Sequence, residues 1–173
     1  MRRAPIDPPS QVLSRDEFDA FYTDALPVVF GYLVKLCGGD REQAWDLTQD
    51  AWMVVVDRLN TGVANAASIP YIITVARSKY IDVWRRERRL QRKLNLVWSA
   101  ERDSDLDSAP AGAALEQLSQ CSPTSRLLLM LAYIEEVPVA AIAEQIGKPV
   151  STTYSLLARA RDELRNRMRG GER

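Results

Sequence analysis

Apolar residues in this chain recur every three or four positions, and no segment alternates apolar and polar residues at every second one. That period is the helical one. Phe18, Phe21, Tyr22, Ala25, Val29, Leu33 and Leu36 form a first stripe, and Ala44, Leu47, Thr48, Ala51, Trp52, Val55 and Leu59 a second. Ile72, Val75, Ala76, Tyr80, Val83 and Trp84 form a third, and Thr153, Leu156, Leu157, Ala160, Leu164 and Met168 close the chain. Each stripe is one face of a helix and needs another helix to cover it. The expected fold is all-α, with no strand.

Local signals punctuate these helices. Ser14 with Glu17 is a capping box, and Gly38-Gly39 stops the helix it opens. Pro27 inside that helix predicts a kink. Asp40, with Gln43 in the box position, opens the second helix, and the small-residue stretch Asn60 to Ser68 reads as a loop. Pro70 lies near the start of a third helix that runs to about Lys93. Residues 99–112, acidic and small with no apolar period, read as a flexible linker. Beyond it come a short helix near Ala113 to Leu118, a leucine-rich helix from Thr124 to about Glu135 behind Ser122-Pro123, a short helix Val139 to Ile146 ended by Gly147, and a long helix after Pro149 and Ser151. The division that follows is an arm over 1–13, a helical domain over 14–98, the linker, and a second helical domain over 113–169.

Composition narrows the chemistry. None of the 173 residues is histidine, so a His-based triad or His-ligated zinc is impossible. Two cysteines, Cys37 and Cys121, do not build a Cys-rich metal site or a disulfide framework. With no nucleophile–base pair and no Gly-rich phosphate loop, neither an enzyme nor a cofactor or metal is expected. No apolar run approaches membrane-spanning length, so a soluble, cytoplasmic protein with no membrane insertion is expected. The 23 basic and 23 acidic residues cancel in sum but not locally. Arg15 to Asp57 holds nine acids against three bases, and Arg77 to Lys93 eight bases against two acids. Glu101 to Glu116 is again acidic, and Arg159 to Arg173 again basic. A polyanion responds to the local block rather than to the sum.

Three pieces carry chemistry. Val139 to about Arg167 has the spacing of a helix-turn-helix: a short helix, a turn at Gly147-Lys148-Pro149, and a longer helix opening on small polar residues. Ser151, Thr152, Tyr154 and Ser155 are placed to reach base edges or phosphates, with Arg159, Arg161 and Arg165 toward the backbone. The third helix interleaves bases with Tyr71, Tyr80 and Trp84, a pattern suited to phosphates and stacked bases, with Trp84 itself assigned to the core. The loop before it could receive an extruded base. The second helix turns Asp46, Gln49, Asp50 and Asp57 away from its apolar stripe. Beside Trp45 and Trp52, that face suits protein docking.

Together these pieces resemble a bacterial sigma factor of the sigma-70 class, in its extracytoplasmic-function (ECF) form. Four stretches carry the resemblance. Asp46-Leu47-Thr48-Gln49-Asp50-Ala51-Trp52 is similar to the helix that docks on core RNA polymerase, and Pro70 to Arg77 to the segment that opens the −10 recognition helix. Asp82 to Arg89 is similar to that helix's basic end, and Ala140 to Gly147 to the helix before the −35 recognition helix. The resemblance implies a sigma-two and a sigma-four domain around the linker, promoter DNA as ligand, and the β′ clamp helices and β flap of core polymerase as partners. An anti-sigma factor is a further implied partner. It assigns core binding to Asp46, Leu47, Gln49, Asp50 and Trp52. It assigns −10 binding to Asn60, Asn65, Tyr71, Arg77, Ser78, Lys79, Arg85, Arg86 and Arg89, and −35 binding to Ser151, Thr152, Tyr154, Ser155, Arg159 and Arg161.

The chain departs from the family pattern in places. Ser78 stands where asparagine is common, Tyr71 where tryptophan is common, and Tyr154 and Leu156 where lysine and arginine are common. Pro149 replaces a usual serine. Fewer cations in the last helix imply weaker phosphate contacts. Two other readings share parts of this pattern. One is a stand-alone helix-turn-helix regulator, and the other is a decoy that binds polymerase or an anti-sigma factor without reading promoters.

Overall fold

The computed structural model describes residues 13–95 and 113–170. The linker expected at 99–112 and all of the expected arm but Leu13 lie outside them. Within them the chain is helical and contains no strand. Helices α1 (Arg15–Leu36), α2 (Arg41–Asn60) and α3 (Ile69–Asn95) form the first half. Helices α4 (Ala113–Gln120), α5 (Pro123–Leu129), α6 (Val139–Ile146) and α7 (Val150–Gly170) form the second.

The helix starts follow from side-chain caps. The Ser14 hydroxyl accepts from the Glu17 N–H at 3.2 Å, and the Glu17 carboxylate accepts from the Ser14 N–H at 2.8 Å. Asp40 caps α2 by accepting from the Gln43 N–H at 3.0 Å. These bonds satisfy amides that the first turn leaves without a helical partner. Helix α1 runs through Pro27 without interruption. Pro27 and Thr23, whose carbonyl the missing N–H would have met, both lie on the exposed side, where water can serve that carbonyl.

The apolar stripes meet in the first half. Ala25, Val29, Leu33 and Leu36 of α1, Ala44, Leu47, Ala51, Trp52 and Val55 of α2, and Ile72, Ala76, Tyr80, Ile81 and Trp84 of α3 are buried together. Trp52 anchors one end. Its ring stands edge-on to Phe18 at 6.1 Å and Phe21 at 5.4 Å, and tilted against Tyr22 at 4.7 Å. Such geometries add to the area the indole removes from water.

The second half departs from expectation at one place. The leucine-rich segment is α-helical only to Leu129, and Met130–Ile134 winds as a π-helical turn instead of continuing to Glu135. The Glu135 N–H reaches back five residues to the Met130 carbonyl at 3.0 Å, and Val137 N–H closes on the Leu131 carbonyl at 2.8 Å. The widened turn ends the helix with Leu127, Leu128, Met130 and Leu131 all still buried.

The two halves share one apolar core rather than standing apart. Arg126 of α5 is buried at their junction. Its guanidinium donates to the Leu36 carbonyl at the end of α1 (3.3 Å) and to the Cys121 carbonyl (3.1 Å). Gly38 is required beside it twice over. Its φ is +71°, and a Cβ there would lie 1.6 Å from Arg126 Nη1.

Replacing Trp52 by alanine is expected to cost about 3–5 kcal/mol, because four rings would lose their shared packing. Urea unfolding of the full chain checks this, and a loss below about 1 kcal/mol would contradict the anchoring role.

Candidate nucleic-acid interface

The acidic face of α2 is set by what its other face buries. Asp46, Gln49, Asp50, Met53 and Asp57 are exposed, while Leu47 and Trp52 are 3% and 6% exposed. The structure therefore corrects the assignment of Leu47 and Trp52 as direct partner contacts. Both belong to the core and act by holding the face in place. Beside the acids runs a groove of about 540 Å³ lined by Tyr22, Leu26, Trp45, Met53 and Val56, among others. Trp45 is 43% and Met53 70% exposed. Phe30 packs edge-on against Trp45 at 5.7 Å, and Arg41 lies over Phe30 at 5.0 Å. An apolar groove with an acidic rim has the make-up of a protein-docking surface.

Helix α3 divides in the same way. Tyr80 and Trp84 face the core, which confirms Trp84 as a packing residue. Arg88 lies over its ring at 5.5 Å. Asn60, Asn65, Ser78, Arg86 and Arg89 are exposed, and Tyr71 and Lys79 are half-buried. The Ser78 hydroxyl donates to the Thr74 carbonyl of its own helix at 3.0 Å, and Arg89 Nε donates to the Arg85 carbonyl at 3.3 Å. Arg77 and Arg85 are not on open surface. Arg77 pairs with the Glu135 carboxylate, and Arg85 donates to the carbonyls of Glu144 and Gln145 at the end of α6.

Helices α6 and α7 form the helix-turn-helix. Gly147 ends α6 at φ +66°, ψ +43°, and the Lys148 N–H donates to the Ala143 carbonyl at 2.9 Å. A Cβ at Gly147 would meet nothing within 4 Å, so the left-handed φ alone selects glycine. Thr153, Leu157 and Ala160 fix α7 on the core, leaving Ser151, Thr152, Tyr154, Ser155, Arg159 and Arg161 exposed together. Ser155 donates to the Ser151 carbonyl at 3.2 Å, and Arg161 to the Tyr133 hydroxyl at 3.4 Å. Leu156 is half-buried against the core, so the absence of a cation there removes nothing from the exposed face. Tyr154, 59% exposed, does stand on that face.

Two sigma-70 family models match this arrangement: Sigma-70 region 2 over residues 21–90 and Sigma-70 region 4 over residues 111–164. The chain belongs to the sigma-70 family. It is an ECF-type sigma factor, a promoter-recognition subunit that works with core RNA polymerase and promoter DNA. It is 27% identical over 165 residues to the ECF RNA polymerase sigma factor RpoE of Cereibacter sphaeroides, covering 89% of this chain and 88% of that one. It is 21% identical over 162 residues to the ECF RNA polymerase sigma factor SigX of Bacillus subtilis, covering 87% and 81%. Its fold is similar to that of the sigma factor RpoE from Bartonella quintana, solved in complex with the anti-sigma factor NepR, with a TM-score of 0.52 at 18% identity over 89% of this chain and 98% of that one.

Sequence reasoning missed two residues of this sigma factor that bridge its halves. Arg126 carried a signal, as a lone charge in a run of leucines. Glu135 carried none, since its partners Tyr32 and Arg77 lie 103 and 58 residues away. Among the described residues, no helix is long and apolar enough to cross a membrane and no cluster of three or more potential metal ligands forms.

Within the second half, Glu163 of α7 holds the start of α5. Its carboxylate accepts from the Ser122 N–H at 2.7 Å, the Ser122 hydroxyl at 3.1 Å and the Ser125 hydroxyl. Burial pushes this carboxyl up, but the hydrogen bonds from Ser125 and Ser122, with Arg167 nearby, outweigh it and hold the group below its ordinary value of 4.5. A carboxyl held low stabilises the fold above that ordinary value and loses its contribution as pH falls through the folded value. The stability difference between wild type and Glu163→Gln is expected to be full at neutral pH and to shrink below pH 4.5. Urea titrations of both proteins check this, and a difference that stayed constant into acid would contradict it.

Proposed function

We propose that this sigma factor divides its work among three surfaces. The exposed face of α2, with Asp46, Gln49, Asp50 and the Trp45–Met53 groove, docks on the β′ clamp helices of core polymerase. The outer face of α3 and the loop before it, with Asn60, Asn65, Tyr71, Arg77, Ser78, Lys79, Arg85, Arg86 and Arg89, open the −10 element. Cations hold the phosphates there, and the loop receives extruded bases. The start of α7, with Ser151, Thr152, Tyr154 and Ser155, reads the −35 duplex, Arg159 and Arg161 take its backbone, and the β flap receives this half. The domains are then residues 14–98 and 113–169, with 99–112 as the linker, and the protein works in the cytoplasm.

The observation that carries the reading is the sorting of α2. Its acids and Met53 are outside while Leu47, Ala51, Trp52 and Val55 are inside. A solvated face does not ordinarily keep a large thioether and a tryptophan exposed beside its acids. An anti-sigma factor belongs to the proposal as a regulator, since a protein covering α2 and α7 would silence both tasks. The Bartonella RpoE was solved with such a factor.

Asp50→Ala is expected to weaken binding of the fluorescently labelled chain to core polymerase by about tenfold. Unaltered affinity would remove α2 from the docking surface. Arg86→Ala is expected to leave core affinity unchanged and to lower promoter opening, read as permanganate reactivity of unpaired thymines. Full reactivity in that variant would displace the −10 surface from the basic end of α3.

A further inference from the structure

We propose, on the reading of α3 as the −10 helix, that Glu135 is a latch. It holds the −10 surface closed in the free chain, so that the two halves must part before DNA is bound.

One carboxylate joins three elements. Glu135 Oε1 accepts from the Tyr32 hydroxyl of α1 at 2.6 Å, and Oε2 pairs with the Arg77 guanidinium of α3. The Arg77 and Glu135 side chains are 16% and 15% exposed. The pair is thus shielded from the water and salt that weaken surface ion pairs. Burial raises the Tyr32 hydroxyl far above its ordinary value, and the bond to Glu135 raises it further, so the phenol stays a donor at any pH the fold survives.

The backbone around Glu135 is irregular on both sides. The π-helical turn Met130–Ile134 precedes it, and Glu136 follows at φ +53°, the left-handed region that a residue with a Cβ avoids. Irregularities of these two kinds gather at functional positions. Here they bracket the one residue that holds α1 and α3 together from the other half.

The latch occupies the cations a promoter would need. A phosphate cannot take the Arg77 guanidinium while Glu135 holds it. Arg85 is engaged as well, on the Glu144 and Gln145 carbonyls at the negative end of the α6 dipole. Affinity for DNA is then reduced by the fraction of chains that are open. Contacts of the second half with core polymerase would supply the free energy that parts the halves.

The test uses the full chain with donor and acceptor dyes on cysteines introduced at Thr61 and Asn166, both exposed. The native thiols Cys37 and Cys121 are buried and pushed up to about 12 and about 11, so they label slowly. Glu135→Ala is expected to lower energy transfer and to bind a single-stranded oligothymidylate about tenfold more tightly than wild type, with an unchanged helical circular-dichroism spectrum. Tyr32→Phe removes one donor only and shifts both readouts the same way by less, which keeps the test open if Glu135→Ala does not fold. Wild-type transfer, or DNA binding no tighter than wild type, in the folded variants would overturn the latch. Failure of the sigma-factor reading itself would show separately, as a wild-type chain that does not bind core polymerase whatever the dyes report.

Discussion

Helix α2 can bury only one of its faces, and the first half is organised by that limit. Its stripe from Ala44 to Val55 fills the space between α1 and α3, with Trp52 closing one end against Phe18, Phe21 and Tyr22. Every residue off that stripe is forced outward, and the residues there are acidic or, at Trp45 and Met53, large and apolar. The same sorting acts on α3, where Ile72, Ala76, Tyr80, Ile81 and Trp84 take the core. The arginines are left to the rim and the surface. The docking surface and the DNA surface are in this sense by-products of one packing solution.

Polar groups at the junction of the halves do different work. Arg126 is buried with backbone carbonyls as its hydrogen-bond acceptors, at the end of α1 and beside Cys121. Desolvating a guanidinium is costly, and carbonyl acceptors offset only part of that cost. Such a residue specifies one arrangement of the halves more than it strengthens it. Glu135 behaves alike. It joins Tyr32 and Arg77 and takes no bond that the second half alone would need. A core shared by two halves but sealed by a few polar groups is a joint that a larger partner surface can open.

Much of this was legible in the sequence. Ser14 with Glu17 and Asp40 with Gln43 mark helix starts because capping is local, and the structure places the hydrogen bonds where those spacings require. The α2 stripe is buried residue for residue except Leu59, which is half-buried. The helix-turn-helix follows from Gly147 and the polar opening of α7. What the sequence did not reveal is non-local or depends on subtle backbone choices. The π-helical turn differs from an α-turn by one residue, and Leu127 to Leu131 suit either. The engagement of Arg77 and Arg85 needs the second half folded against the first, and no periodicity encodes contacts across 58 to 60 residues. Leu47 and Trp52 sit inside a docking motif, but their types already belonged to the core stripe, and packing took precedence.

The measurement that tests the account most directly is reconstitution of the purified chain with core RNA polymerase, followed by run-off transcription from fragments of genomic DNA. The account predicts a stable complex and discrete transcripts that core polymerase alone does not make. A chain that fails to associate with core polymerase, yet binds specific duplex DNA by itself, would contradict it and would make this a free-standing helix-turn-helix regulator.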